Sequence, residues 1–456
     1  MNASANVQGP SLVKSIRKVI ARTYFEGSLY AIMAGGAESF ALYYAVKRNF
    51  TLEQIALLTT LPVVLGSLAQ MGVPYFVKTR EKLSFALKSS FFIQILGLAL
   101  MVYTCFLPND AAYITLLTSL SFYWIGGLCA NPLWLDWISG FVPPNTMHNF
   151  LSRRNAFISI VTLAAYILTA YVLNSKTLSD SFVYVFFAAL TARSLGLSFQ
   201  WKLSKINPIF TEKVEKESKP RGIPLKRAVY IAIFGSFLFR SMVFVASPFF
   251  LPYMIGEMKL SLMEYSVLTA LPFIGRFLFL AGWGQASINL KLFIGLELAC
   301  FGLALSPLTW VISNSLYIIG ISQLIIGLLW GGYEISQVLI IQKYWPGSTL
   351  KMLGFHLALS NIGSVVGAWL GAKYLNIIGS YHDLFVLSMQ LRILAALIMF
   401  YGFLQLKETR FRSKAYTDFL FASLSLRPTA DFLGRLVFVR KRKSPVIHGR
   451  HNSDAS

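Results

Sequence analysis

The stretch TLEQIALLTTLP at residues 51–62 returns as SLMEYSVLTALP at residues 261–272, 210 positions later and each time inside an apolar run. Leu52 matches Leu262, Leu58 matches Leu268, Thr59 matches Thr269, Leu61 matches Leu271 and Pro62 matches Pro272. Gly27-Ser28 and Gly235-Ser236 open the apolar run that precedes each copy. Chance similarity between leucine-rich segments does not keep the flanking runs in the same order and spacing, so the chain reads as a duplication. With 55% apolar residues, 15% aromatic and 13% charged in 456 residues, it has too little polar surface for water and takes lipid as its solvent.

Apolar runs of about 20 residues, the length that crosses ~30 Å of hydrocarbon, fall near 27–46, 54–77, 84–106, 111–134, 155–174 and 181–202. Six more fall near 228–252, 263–286, 291–312, 316–343, 351–375 and 383–406. The expected fold class is therefore an all-α polytopic membrane protein with twelve transmembrane helices in two six-helix halves. Residues 1–26 form a polar, basic segment without the core and cleavage site of a signal peptide. The expected organisation is a first half over 27–202, a mixed-charge linker over 203–227, a second half over 228–406 and a basic tail over 407–456.

The net charge of +22 does not mark a nucleic-acid footprint, because the basic residues lie in short gaps between apolar runs and in the tail. Lys14, Arg17, Lys18, Arg22, Lys78, Arg80, Lys82, Lys88, Arg153, Arg154, Lys291, Lys343 and Lys351 share one side with the linker and the tail. Lys47, Arg48, Lys176, Lys259 and Lys373 are on the other. The asymmetry predicts both termini in the cytoplasm. Apolar residues such as Phe419, Phe421, Phe432, Leu433 and Val437 among the tail's basic residues suggest a segment lying on the inner membrane surface, with anionic lipid as its partner; the last dozen residues read as a solvated end. Cys105, Cys129 and Cys300 sit inside apolar runs and read as packing residues, and the sequence calls for no metal and no cofactor.

A charge in mid-span costs roughly 2.5–3.5 kcal/mol on insertion scales, so it should face a watered cavity or a partner. Glu38 in GGAES of span one, Arg240 in span seven and Glu334 in WGGYE of span ten are the deepest. A carboxylate there can exchange a proton, and an arginine can hold an anionic solute or a carboxylate; the alternative is a fixed pair bridging the halves. Arg193, Glu297 and Arg392 read as structural, His356 as a hydrogen-bonded helix residue, and Arg276, just after Pro272, as a residue within reach of the cavity. Pro62 and Pro272 permit kinks, and Gly363, Gly367 and Gly371 permit close helix contact.

The block NPLWLDWISGFVPPNTMHNFLSRRN, residues 131–155, joins spans four and five. Asp136 and Arg153 or Arg154 form a candidate cytoplasmic gate; an ordinary aromatic belt followed by a positive-inside loop accounts for them equally well. Two six-helix halves, a charged middle loop and this block, with Pro132, Trp134, Trp137, Val142, Pro143, Arg153 and Arg154, resemble the major facilitator superfamily over 1–406, and specifically a bacterial group of unassigned substrate. The resemblance implies that spans one, four, seven and ten line a central cavity. Glu38, Asn131, Arg240, Tyr333, Glu334 and Gln337 would then be the substrate or ion pathway. VPYFVKTREKL between spans two and three keeps only the basic character of the superfamily's signature and lacks its aspartate. Met147 and His148 also depart from the pattern, and span five lacks the glycine-proline signature of drug–proton antiporters. No sugar-porter signature is evident.

The leading expectation is alternating-access transport of a small solute by a monomer in a bacterial inner membrane, coupled to a proton or another ion, since no phosphate-binding loop is present to couple ATP. A transporter-like receptor or scaffold is the alternative. A lipid-modifying enzyme lacks a reactive constellation of the H-E-x-x-H or G-x-S-x-G kind, so no enzymatic activity is expected. Arg240 favours anionic cargo, whereas Glu38 and Glu334 favour cationic or proton-coupled cargo.

Overall fold

The computed structural model describes residues 10–77, 79–142, 144–174, 181–203, 223–289, 292–344, 349–405, 413–427 and 430. Most of the linker, Lys78, Lys176, Lys291, Pro143 and the tail from 431 lie outside them, as do the side chains of Met147, His148, Arg153 and Lys351. The first half comprises α1 (Pro10–Met33, a π turn at Ala34–Glu38, then Ser39–Lys47), α2 (Leu52–Phe76), α3 (Arg80–Thr104), α4 (Asn109–Ser139), α5 (Pro144–Asn174) and α6 (Ser181–Leu203). The second comprises α7 (Ile223–Phe244, continued by short turns to Glu257), α8 (Leu262–Asn289), α9 (Leu292–Leu305, then Leu308–Ile312), α10 (Leu316–Tyr344), α11 (Thr349–Ile378) and α12 (Tyr381–Leu404). A short tail helix, α13 (Ser413–Ser423), follows. Eleven segments are each long and apolar enough to cross a membrane; α1, broken by its π turn, completes the twelve. The protein is an integral membrane protein.

The duplication is visible in the backbone. Asn49 (φ 56°) and Lys259 (φ 54°) both take the left-handed conformation, and they are separated by the same 210 positions as the repeated stretch. Two residues later each copy opens its helix with a reciprocal cap. The Gln54 amide donates to the Thr51 hydroxyl while the Thr51 amide donates to the Gln54 side chain. The Glu264 amide donates to the Ser261 hydroxyl, and the Ser261 amide to the Glu264 carboxylate at 2.8 Å. Such caps satisfy otherwise orphaned amides, each contributing about 1 kcal/mol, and they set the entry angle of α2 and α8. Gly379 (φ +71°) ends α11, its amide donating to the Leu375 carbonyl.

Both halves have the same internal neighbours. α1 packs on α5 and α6, α2 on α4, and α3 on α4 and α6; α7 packs on α11 and α12, α8 on α10, and α9 on α10 and α12. Between the halves, α2 meets α11 and α5 meets α8, a reciprocal pair under the same twofold relation. Asn376 Nδ2 donates to Glu53 Oε1 (3.3 Å), Asn361 Nδ2 to Ser67 Oγ (2.5 Å), and Tyr166 and Thr269 share a hydroxyl–hydroxyl bond.

The aromatic part of the interface lies at one end. A buried cluster containing Phe40, Tyr43, Ala56, Tyr166, Phe249, Tyr265, Leu268 and Phe385 crosses between the halves at the face away from the termini, where Tyr43 stacks on Tyr265 at 5.7 Å. On the termini side, the buried clusters around Trp134 and Phe141 and around Phe293 and Phe403 each stay within one half among the described residues. The halves are joined by buried aromatic residues at the far end, and α2 stays beside α11 toward the termini, where a Cβ on Gly354 would lie 3.9 Å from Met71 Cγ.

Candidate functional site

The π turn in α1 inserts one extra residue into the helical ladder, a feature often found at functional sites. Gly35 lets α5 approach the turn closely, because a Cβ there would overlap the Thr162 carbonyl. The turn ends at Glu38, whose carboxylate accepts a 2.5 Å hydrogen bond from the buried Tyr123 hydroxyl of α4. Tyr30, on the same helix, is close enough to interact with Glu38 electrostatically.

In the second half α7 presents Arg240, whose Nε donates to Ser364 Oγ of α11 at 2.9 Å while its guanidinium lies 5.3 Å from the Phe244 ring. Arg276 of α8 pairs with Glu334 of α10 at 2.6 Å, with side chains 44% and 45% exposed. Two half-exposed charges at mid-span face water rather than hydrocarbon, and this pair therefore marks the wall of the aqueous opening. Glu334 is close enough to act electrostatically on Arg240, and buried His356 is close enough to feel Arg240 in turn.

The other predicted residues are distributed differently. Tyr333 is buried, 5.7 Å from each of the Phe239 and Trp330 rings, and buried Gln337 donates to the Ser236 hydroxyl. Both tie α10 into its own half rather than exposing a polar group to the opening. Asn131 is exposed on α4.

Of the candidate gate residues, Arg154 does not meet Asp136, and the side chain of Arg153 lies outside the described residues. Asp136 is exposed, with its backbone carbonyl accepting from Arg80 Nη1 at 3.3 Å. Arg154 turns inward instead: its Nη2 lies 3.1 Å from Glu26 Oε2, its Nε donates to the Thr23 carbonyl, and its guanidinium sits 4.0 Å from the Trp134 ring. Glu26 Oε1 also accepts from Arg193 Nη1 at 3.3 Å, and Arg193 stacks 3.6 Å over Phe91. A buried carboxylate with two cations is a stronger partner for Arg154 than a solvated Asp136, because both oxygens are used in low dielectric.

Glu26 was hidden in the sequence because hydropathy starts span one at residue 27, whereas α1 runs from Pro10. The helical spacing of Leu12, Ile16, Val19 and Ile20 was the signal for that earlier start. Arg392, read as structural, donates to Ser388 Oγ, Leu303 O, Ser306 Oγ and Val243 O.

Solved structures share this arrangement. The nucleoside transporter NupG aligns at TM-score 0.64 and 13% identity, covering 84% of this chain and 100% of its own. A bacterial homologue of the iron transporter ferroportin in its inward-facing state aligns at TM-score 0.65 and 11% identity, covering 84% of this chain and 98% of its own. The xylose transporter XylE from E. coli, partially occluded and inward open, aligns at 0.59 and 13% identity, covering 87% and 99%. This chain has the major facilitator fold. No protein-family model and no curated protein matches it by sequence, so the likeness to these facilitators is one of architecture. Within that architecture α1, α4, α7 and α10 carry Glu38, Asn131, Arg240 and Glu334.

Proposed function

We propose that this protein is a secondary transporter that moves a small anionic solute by alternating access, with Arg240 as the anion-binding group and Glu38 as the carrier of a coupling proton. The observation carrying the reading is the asymmetry between two cavity arginines. Arg276 is neutralised by Glu334, whereas the described ion pairs leave Arg240 without a carboxylate within salt-bridge distance. Ser364 holds Nε, so the guanidinium is oriented while its terminal donors stay available for a carboxylate or phosphate. This favours anionic over cationic cargo.

Among the described residues, the Glu38 carboxylate is hydrogen-bonded by the Tyr123 hydroxyl and has no cation within salt-bridge distance. A mid-membrane carboxylate of that kind is suited to cycling between protonated and ionised forms as its exposure changes. The far-end closure at Glu53–Asn376 fits a resting state open toward the termini, which positive-inside charge would place in the cytoplasm of a bacterial inner membrane.

The test starts from a thermal-shift screen of purified protein against metabolites, since a ligand of the folded state raises apparent stability, followed by uptake into proteoliposomes. Arg240→Ala is expected to abolish both the shift and uptake of an anionic hit while the unliganded melting temperature holds. Glu38→Gln is expected to keep exchange of labelled for unlabelled solute and to lose accumulation driven by a pH gradient. Unchanged uptake in Arg240→Ala would overturn the anion assignment, and binding without uptake in any direction would favour the receptor reading.

A further inference from the structure

The tail helix α13 is seated on the second half by three contacts. Phe419 is fully buried and meets the Trp283 ring of α8 edge-on at 5.2 Å. Tyr416 donates its hydroxyl to Glu297 Oε2 of α9 at 2.5 Å, and burial followed by the Glu297 bond and charge holds that hydroxyl above its ordinary range, as a donor. A Cβ on Gly282 would lie 2.8 Å from the carbonyl oxygens of Ser423 and Ser425, so the helix end rests directly on the α8 backbone.

At 100° per residue, Ala415, Tyr416, Phe419 and Ser423 share the face against the bundle. Leu420, Phe421 and Leu424 fall on the next flank, 41%, 79% and 50% exposed. Lys414, Asp418 and Ala422 fall on the remaining side, all exposed. Three faces suit three environments: protein, hydrocarbon and water.

The level of the helix agrees. Gly282 and Trp283 fall in the last turns of the apolar run at 263–286, and Glu297 falls in the second turn of the run that begins at 291. α13 thus sits at the membrane boundary on the termini side. Exposed Lys414 and Arg427 flank its apolar stripe, and residues 407–456 hold eleven Lys or Arg against four Asp or Glu. That excess attracts a negatively charged leaflet, at about 1 kcal/mol per basic residue near the surface.

We propose that α13 is a membrane-docking brace: its Leu420–Phe421–Leu424 flank inserts into an anionic leaflet while Phe419 clamps Trp283. The clamp reaches the cavity wall. The Trp283 ring lies where a Cβ on Gly332 of α10 would be, and its Nε1 donates to Ser336 Oγ at 3.3 Å. Gly332 is two residues from Glu334, so lipid at the tail steadies the α8–α10 contact that carries the Arg276–Glu334 pair. This inference stands whether or not the protein transports.

Its test uses the full chain in nanodiscs, with Cys105, Cys129 and Cys300 replaced by alanine and a fluorophore on Phe421→Cys or Asp418→Cys. Brominated acyl chains are expected to quench the label at 421 and aqueous iodide the label at 418. Quenching at 421 is expected to rise severalfold when phosphatidylserine replaces part of the phosphatidylcholine, and to fall again in high salt. Tryptic cleavage of the unmodified protein after Lys414 gives a readout free of substitutions, expected to slow severalfold in the anionic discs. Iodide quenching at 421 equal to that at 418 would overturn the docking, and quenching and cleavage indifferent to phosphatidylserine would overturn the anionic assignment.

Discussion

Glu26→Ala is expected to destabilise the folded protein by about 3–5 kcal/mol, the cost of removing one partner from a buried ion pair. Glu26 is 3% exposed and is the shared acceptor of two buried arginines, Arg154 and Arg193. Without it two guanidinium groups remain within the bundle with only aromatic faces and the Thr23 carbonyl as described partners. The penalty is the uncompensated charge, not the lost contact. Consequently Glu26→Gln, which keeps the shape, should recover little. The triple substitution of Glu26, Arg154 and Arg193 by methionine should recover most of the stability, since a well-packed apolar replacement of a buried ionic group is often neutral. Thermal denaturation in detergent measures all three. Glu26→Ala melting together with the parent would contradict the account of the triad.

Gly367→Val is expected to cost about 3 kcal/mol or more, the upper range for overpacking. Gly363, Gly367 and Gly371 of α11 face the carbonyl oxygens of Phe237, Ser241 and Val245 of α7, one helical turn apart on both partners. A side chain at Gly367 would overlap the Ser241 carbonyl and push the helices apart, and backbone cannot yield as a flexible side chain can. The same seam sets Arg240 against Ser364. Whatever folded Gly367→Val survives should therefore also bind anions more weakly. Gly256, with open space around it, provides the control: Gly256→Ala should melt close to the parent. Equal melting temperatures for Gly367→Val and Gly256→Ala would rule out the close seam.

The fold was readable because its signals are local. Twelve apolar runs and the repeat beginning at Thr51 and Ser261 needed only spacing, and the capping boxes TLEQ and SLME mark the helix starts in both copies. The pairings were not readable, because each joins residues far apart in sequence. Arg276 and Glu334 are 58 positions apart, and Arg154 and Glu26 are 128 apart. Charge and depth alone left Arg154 as plausible a partner for Asp136 as for any other carboxylate. Tyr333 and Gln337 share α10 with Glu334 yet differ from it in burial, because α7 covers one face of that helix and leaves the other to the opening. The seat of α13 depended on Trp283 and Gly282, residues that read as ordinary parts of an apolar helix.

The central claim is that the two halves rock about the α2–α11 and α5–α8 contacts, closing one end as the other opens. Paired spin labels in nanodiscs test it most directly, one pair at Glu53 and Asn376 at the far end and another at Arg80 and Lys343 on the termini side. The account predicts two distance populations at each pair, with any change of pH or solute that favours the short distance at 53–376 favouring the long distance at 80–343. A single unvarying distance at both pairs, or distances that lengthen together, would contradict it.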